Sequence, residues 1–343
     1  MNLLASLRYL AALSEHKHFG RAAAACHITQ PALSNALRAL EADFGVVIVR
    51  RGRAFAGLTP EGETVLASAR RMLHEHELLQ QALKSEAGRP RGHLRMAAVP
   101  TAIPLLTRFA ARLQARHPGI VPTVLSMSSV ELETGLDTLA LDLALGYIER
   151  KGRPAAGGAT RRNAWPQTVE HYFLLRRREE APPASRRAAR AAAPAKAGVG
   201  KKSADPQDLH IGASIGWAEA ARLPLCLLTP EMHNRAIIDR AFADAGAEVA
   251  PAIETNSVLA LALSVLNGRV CAVLPGAMVD TVRGQGELEA LPLVAPEVRT
   301  PIGFMAPAAV KPSRALEAAL AMLQEPTWKA EVGGHSGALH KKR

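Results

Sequence analysis

Leu3, Leu7 and Leu10 recur at helical spacing and predict a helix at the start of the chain. A small-residue run over Gly20–His27 predicts a second helix, and His27-Ile28-Thr29 a turn. In the stretch QPALSNALRALEADFG that follows, Leu33, Leu37 and Leu40 recur at i, i+4 and i+7 and mark the buried face of a third helix. Thr29 is placed as its N-cap, Pro31 falls in the first turn where a missing N–H costs nothing, and Gly45 is a natural stop. The opposite face carries Gln30, Ser34, Asn35 and Arg38. Three uncharged hydrogen-bonding side chains and one Arg suit the reading of base edges in a major groove, whereas a face meant only for solvent more often carries Glu and Lys. An ordinary amphipathic helix in a small bundle is the plain alternative.

Next comes a short β-rich run, Val46–Val49, then Arg50, Arg51, Gly52 and Arg53, then a second apolar stretch ending at Leu58. This spacing predicts a two-stranded wing with three arginines within reach of phosphates. Thr59 as N-cap, Pro60 at the first position, and Glu61 and Glu63 against the dipole open a long helix. Within it Val65, Ala69, Met72, His76, Leu79 and Leu83 alternate steps of four and three, a heptad seam in which His76 serves register rather than ligation. Gly88-Arg89-Pro90-Arg91-Gly92 marks a domain boundary.

Beyond it the pattern alternates between strand and helix. Strands are expected at Leu94–Val99, Val121–Ser126, Leu141–Tyr147, His171–Leu175, Leu225–Leu228, Ala252–Thr255, Val270–Leu274 and Ile302–Met305, with helices such as Pro104–His117 and Val130–Leu139 between them. This is the signature of mostly parallel α/β sheets. Arg176–Gln207, rich in Ala, Arg, Pro and Lys without an apolar period, is expected to be a disordered insertion, and the tail over 331–343 to be flexible.

Composition adjusts this picture in three places. Residues 150–202 hold 14 Lys/Arg against 3 Asp/Glu, a net of +11, while residues 1–90 hold 11 against 8. The chain's formal +11 therefore comes from the central segment, and individual basic residues must carry any nucleic-acid argument. Three widely spaced cysteines fit a reducing, cytoplasmic setting, with each thiol a small hydrophobe. No apolar run is long enough to span a bilayer, and Arg8 interrupts the apolar start in a way a secretory leader would not. No nucleophile elbow, phosphate loop or dinucleotide fingerprint follows a strand, and the His pairs 16/18 and 74/76 lack companion ligands. The sequence thus offers no catalytic residue, metal site or cofactor.

GRAAAACHITQPALSNALRALEADFG, the VVIVRR wing and LTPEG together closely resemble the amino terminus of LysR-type transcriptional regulators. The likeness continues through AAVPTAIP, RHPGI, DLALGY, WAEAARLPLCLL and GRVCAVLP and covers about 1–330 apart from the insertion. Two departures stand out: Gly20 where the second helix of the family opens with Ser or Thr, which weakens that cap, and Ile48 in place of a wing aromatic. The resemblance implies an α+β multidomain chain: a winged helix-turn-helix over 1–59, a dimerising linker helix over 60–88, and an effector domain over 89–330 like type 2 periplasmic binding proteins. In that domain lobe 1 is expected at about 91–165 and 270–330 and lobe 2 at about 166–268. It further implies double-stranded promoter DNA, a small-molecule effector, a homodimer or homotetramer and RNA polymerase as partners, and no membrane.

On that comparison the DNA contacts are Thr29, Gln30, Pro31, Ser34, Asn35, Arg38, Arg50, Arg51 and Arg53. Open parallel sheets bind ligands beyond the carboxyl ends of their strands, where Thr101, Ser128, Ser129, Thr229, His233, Asn256 and Ser257 stand. Arg235 and His233 are candidate positive charges there. Helix capping is the plain alternative for each hydroxyl or amide, but four such loops facing one cleft point to a small carboxylate or similar anion. Two other classes remain open: a solute-binding module whose lobes do the main work, and a non-specific architectural DNA protein driven by the basic insertion.

Overall fold

The computed structural model describes residues 2–52, 55–84, 90–148, 162–178, 209–308 and 311–336. Helices Leu3–His16, Phe19–Ala25 and Gln30–Phe44 enclose an aliphatic core of Leu7, Leu10, Leu13, Leu33, Leu37 and Leu40. The wing strands Val49–Arg51 and Phe55–Leu58 pair antiparallel beside them. The long helix Pro60–Lys84 begins in this same core through Leu66 and Ala69 and then leaves it, so Met72, Leu79 and Leu83 of the heptad seam stand exposed.

The second helix corrects one expectation. It starts at Phe19, not Gly20, and its cap is His18, whose Nδ1 accepts from the Gly20 and Arg21 backbone N–H groups at 3.1 and 3.3 Å. The imidazole supplies the acceptor that a Ser or Thr hydroxyl would, so the cap is replaced rather than weakened.

The remaining chain forms two sheets with helices around them. The first has the order 120–126, 92–98, 143–147, 300–307, 162–170, and the second 253–255, 225–228, 271–275, 172–177, 288–294, 210–211. Both are mixed: the first divides its pairings evenly, and the second is mostly parallel. Strand Thr300–Pro307 runs antiparallel to both its neighbours, as does Tyr172–Arg177 in the other sheet. These are the two strands that follow the crossovers between lobes, so each enters its sheet from the far side. Strand Cys271–Pro275 pairs with Leu225–Leu228 and Tyr172–Arg177, and Leu288–Val294 lies in the same sheet, so the segment from 270 belongs to the second lobe until the chain returns at Thr300. The expected boundary at 270 is therefore corrected.

Two long strands lie outside the expected set, besides the two-residue strands His210–Ile211 and Ile215–Gly216. Arg162–Glu170 and Leu288–Val294 each contain a proline, Pro166 and Pro292, which argues against a strand in a sequence. Pro166 is tolerated because its strand lies at a sheet edge, with a register shift between Ile302 and Gly303 on its partner. Arg176 and Arg177, expected in the insertion, are strand residues paired with Glu289 and Glu287; the rest of the expected insertion, from 179, lies outside the described residues. The tail expectation is likewise corrected at its start, because helix Pro326–Ser336 runs through it and anchors the buried Trp328 and Val332 in the first lobe's core; 337–343 lies outside the described residues. Across the lobes Arg108 reaches the buried Asp280 at 2.7 Å. Among the described residues no helix is long and apolar enough to cross a membrane.

Candidate nucleic-acid interface and effector cleft

The third helix shows why its sequence was readable. Leu33, Leu37 and Leu40 are almost wholly buried, while Gln30, Pro31, Asn35 and Arg38 are exposed and Ser34 half-buried on the other side. Thr29 caps it, accepting from Ala32 N–H at 3.4 Å, and Gly45 ends it in the left-handed region at φ 66°. Arg38 Nη1 donates to Asn35 Oδ1 at 3.5 Å, a long contact that is exchanged readily for a base or phosphate.

Glu41, which the sequence reading passed over, ties this helix to the wing. Its Oε1 accepts from the Ile48 and Val49 backbone N–H groups, both at 3.0 Å. Thr59 caps the long helix through Gly62 N–H and also donates its hydroxyl to Val47 C=O. Gly62 sits so close to the wing that a Cβ there would lie 2.2 Å from Ile48 O, which only glycine permits. Arg50 is exposed at the wing; Arg51 is placed on the first wing strand, and Arg53 lies outside the described residues.

The second region is a small recess between the lobes, where Val99, Pro100, Thr101, Ser128, Ser129 and Tyr147 of the first lobe face Leu228, Met232, His233 and Asn234 of the second. Four expected residues meet here: Thr101, Ser128, Ser129 and His233. Asn256 and Ser257 do not line it; both are exposed, and Ser257 caps helix Val258–Asn267 through Ala260 N–H. Thr229 is outside the lining too, donating to Glu231 at 2.7 Å. Arg235 is spoken for by Asp239, Glu254 and Leu228 C=O, so it offers no charge to the recess.

Two helices point their amino ends at the recess. Helix Ser129–Asp137 carries a capping box in which Ser128 and Glu131 satisfy each other's backbone N–H groups. Helix His233–Asp244 has Met232 at its cap, with no side-chain hydrogen bond. Ser129 Oγ is buried and has no partner among the described residues. The floor is a hydroxyl–amide network the sequence did not reveal. Asn234 Nδ2 donates to Tyr147 OH at 3.2 Å and Tyr172 OH at 3.0 Å; Tyr147 OH also meets Thr101 Oγ1 at 3.2 Å, and Tyr172 OH meets Thr300 Oγ1 at 3.4 Å. The His233 ring lies 4.8 Å from that of Tyr147. Beneath these groups is Glu170, 1% exposed, whose carboxyl burial pushes up to about 8. Burial likewise lifts both tyrosines, so their hydroxyls stay protonated at neutral pH.

None of the three cysteines lines the recess. Cys226 and Cys271 are buried on adjacent strands of the second lobe and Cys26 ends the second helix; desolvation raises all three thiols, keeping them from the reactive thiolate form.

Residues 4–63 match the bacterial regulatory helix-turn-helix protein, lysR family, and residues 204–327 the LysR substrate binding domain. The chain belongs to the LysR family of bacterial helix-turn-helix regulators. Among curated proteins it is similar to the SDS degradation transcriptional activation protein of a Pseudomonas strain, 33% identical over 170 residues, covering 49% of this chain and 56% of that one. It is 36% identical over 143 residues to a probable hydrogen peroxide-inducible genes activator of Mycobacterium xenopi, covering 41% of this chain and 76% of that protein. The chain spans about half the length of most curated relatives it matches. In fold it is similar to a full-length OxyR variant of Pseudomonas aeruginosa, TM-score 0.64, 22% identical, covering 94% of each chain.

Proposed function

We propose that the protein is a sequence-specific DNA-binding transcriptional regulator, not an enzyme, whose promoter binding or activation is modulated by a small anion of carboxylate type held between the lobes. The observation that carries the DNA reading is the exposure of Gln30, Asn35 and Arg38 on one face of a helix whose opposite face is core, beside Arg50 of the wing. In this reading Thr29, Gln30, Pro31, Ser34, Asn35 and Arg38 meet the major groove, and Arg50, Arg51 and Arg53 meet phosphates. The exposed seam of Met72, Leu79 and Leu83 supports a homodimer, and from it a homotetramer, through the linker helices. RNA polymerase is the natural recipient of an activating signal, and the cytoplasm the setting.

The anion reading rests on the recess. Two helix amino ends and the unpartnered Ser129 hydroxyl favour negative charge, offset in part at the first end by the Glu131 carboxylate of its capping box, while burial keeps Glu170 from adding a second negative charge at pH 7. Thr101, Ser128, Ser129 and His233 are the contacts it would use; Thr229, Asn256 and Ser257 stand further out.

Footprinting on the DNA upstream of the protein's own gene, with and without a panel of small acids, tests the whole. A protected, roughly palindromic site whose extent changes with one acid is expected, and equal protection of scrambled DNA would refute sequence specificity. Deleting residues 179–207, which spares the paired Arg176 and Arg177, separates this reading from an architectural DNA protein: promoter binding should survive the deletion.

A further inference from the structure

We propose that the cleft binds its anion together with a proton retained on Glu170, so that effector affinity falls as the solution becomes alkaline. The proposal rests on the anion reading above and adds a regulatory input to the same site.

Glu170 ends strand Arg162–Glu170, the last residues of the first lobe before the chain crosses to Tyr172 in the second. Its backbone register partner is Thr300, where the chain returns from the second lobe to the first. The carboxyl therefore sits at both crossovers at once, and any relative movement of the lobes passes beside it. It is almost wholly buried, and its Oε2 has no hydrogen-bond partner among the described residues.

The groups around it do not neutralise a negative charge. From strand Leu143–Tyr147 comes the Tyr147 hydroxyl, and from strand Tyr172–Arg177 the Tyr172 hydroxyl; both are coupled to Glu170 electrostatically. Helix His233–Asp244 contributes the amide of Asn234, already shared between those two hydroxyls, and the titratable imidazole of His233, which packs 4.8 Å from the Tyr147 ring on the recess side. At the crossovers His171 faces Glu297 at 3.4 Å, and Arg299 is also held by Glu297. Nothing but desolvation moves the carboxyl, to about 8.

Tyr147 is the physical link between this carboxyl and the ligand. Its side chain lines the recess and its hydroxyl feels the charge on Glu170. An anion on Ser129 and the helix amino ends would face, across that ring, either a neutral acid or a second negative charge in a desolvated site. The first is tolerated and the second is repelled. By linkage, an anion that binds better when Glu170 is protonated must raise the affinity of Glu170 for its proton. Above pH 8 anion binding then takes up a proton from solution.

The test is isothermal calorimetry on the full chain with acetate, oxalate and benzoate, using acetamide as the uncharged comparator. Titrations at pH 7 and pH 9 bracket the carboxyl, in two buffers of different ionisation enthalpy. The carboxylate that binds should lose affinity, approaching about tenfold per pH unit above pH 8, with up to one proton taken up per anion. Glu170→Gln, a permanent stand-in for the neutral acid, should bind it equally at both pH values. Equal affinity of the parent at pH 7 and pH 9 with no proton uptake would overturn the coupling while leaving the anion site intact. Absence of binding by any of the carboxylates at either pH would instead overturn the anion reading, and the coupling with it. Where Glu170→Gln folds poorly, buffer-dependent proton uptake by the parent decides alone.

Discussion

Asn35 and Asn234 are the same side chain in opposite circumstances. Asn35 stands exposed on the third helix, touched only loosely by Arg38, and both can exchange water for a new partner at little cost. Asn234 is 5% exposed and gives both protons of its amide to tyrosine hydroxyls, one from each lobe. An exposed polar face is a surface waiting for a ligand; a buried network is a structural commitment, since each group left unpaired there costs its full desolvation. The two ends of the molecule should therefore respond to mutation differently: the DNA-facing end through binding with stability preserved, the cleft through stability and pH.

The largest effect isolates one end from the other. Leu40→Ala, in the core under the third helix, should destabilise the amino-terminal domain by about 2–5 kcal/mol and abolish DNA binding. All three tryptophans, Trp165, Trp217 and Trp328, belong to the lobes. Their fluorescence transition on heating should stay where it is in the parent; if it drops together with DNA binding, the two ends are one cooperative unit and the comparison fails. Glu170→Gln probes the other end. The folded carboxyl holds its proton to about pH 8, while the unfolded one loses it near 4.5. The parent's stability should thus fall between those values by about 1.4 kcal/mol per pH unit and level off above them. The variant, with nothing to titrate, should lose this slope, which denaturant titrations at a series of pH values would reveal.

What could be read from the sequence follows the same division. The third helix, its cap and its exposed face lie within one contiguous stretch, so spacing alone placed Thr29, Gln30, Asn35 and Arg38 correctly on the helix. The cleft draws on segments more than a hundred residues apart, and spacing says nothing about which of them meet. Loop position found Thr101, Ser128, Ser129 and His233, but the same rule also pointed to Asn256 and Ser257, which only start a helix. Tyr147 and Asn234 gave no signal because a tyrosine at a strand end and an asparagine in a helix are ordinary until a fold brings them together. Glu170 was hidden by Pro166, which made its strand look like a loop. His18 gave no signal because imidazole is a rare helix cap.

On the DNA-facing side, Asn35→Ala should cost specific binding about 1–3 kcal/mol and leave binding to random duplex nearly unchanged; equal losses on both would move Asn35 from base reading to positioning. His18→Ala should cost the domain about 1 kcal/mol by removing the acceptor at the second helix, and His18→Ser should restore it. Thermal unfolding followed by circular dichroism checks both, and an unchanged midpoint in the alanine variant would show the cap to be dispensable.

The smallest effect is the sharpest test of surface behaviour. Arg50 is exposed and its removal disturbs no core, so Arg50→Ala should leave folding untouched. If the side chain meets a phosphate, its loss releases one counterion fewer on binding. The slope of log affinity against log salt should then flatten by about 0.9, equally for promoter and random DNA, because a phosphate contact carries no sequence information. A flattening seen only on the promoter would mean that the wing reads bases or groove shape, and the line drawn here between a specifying helix and a positioning wing would have to be redrawn.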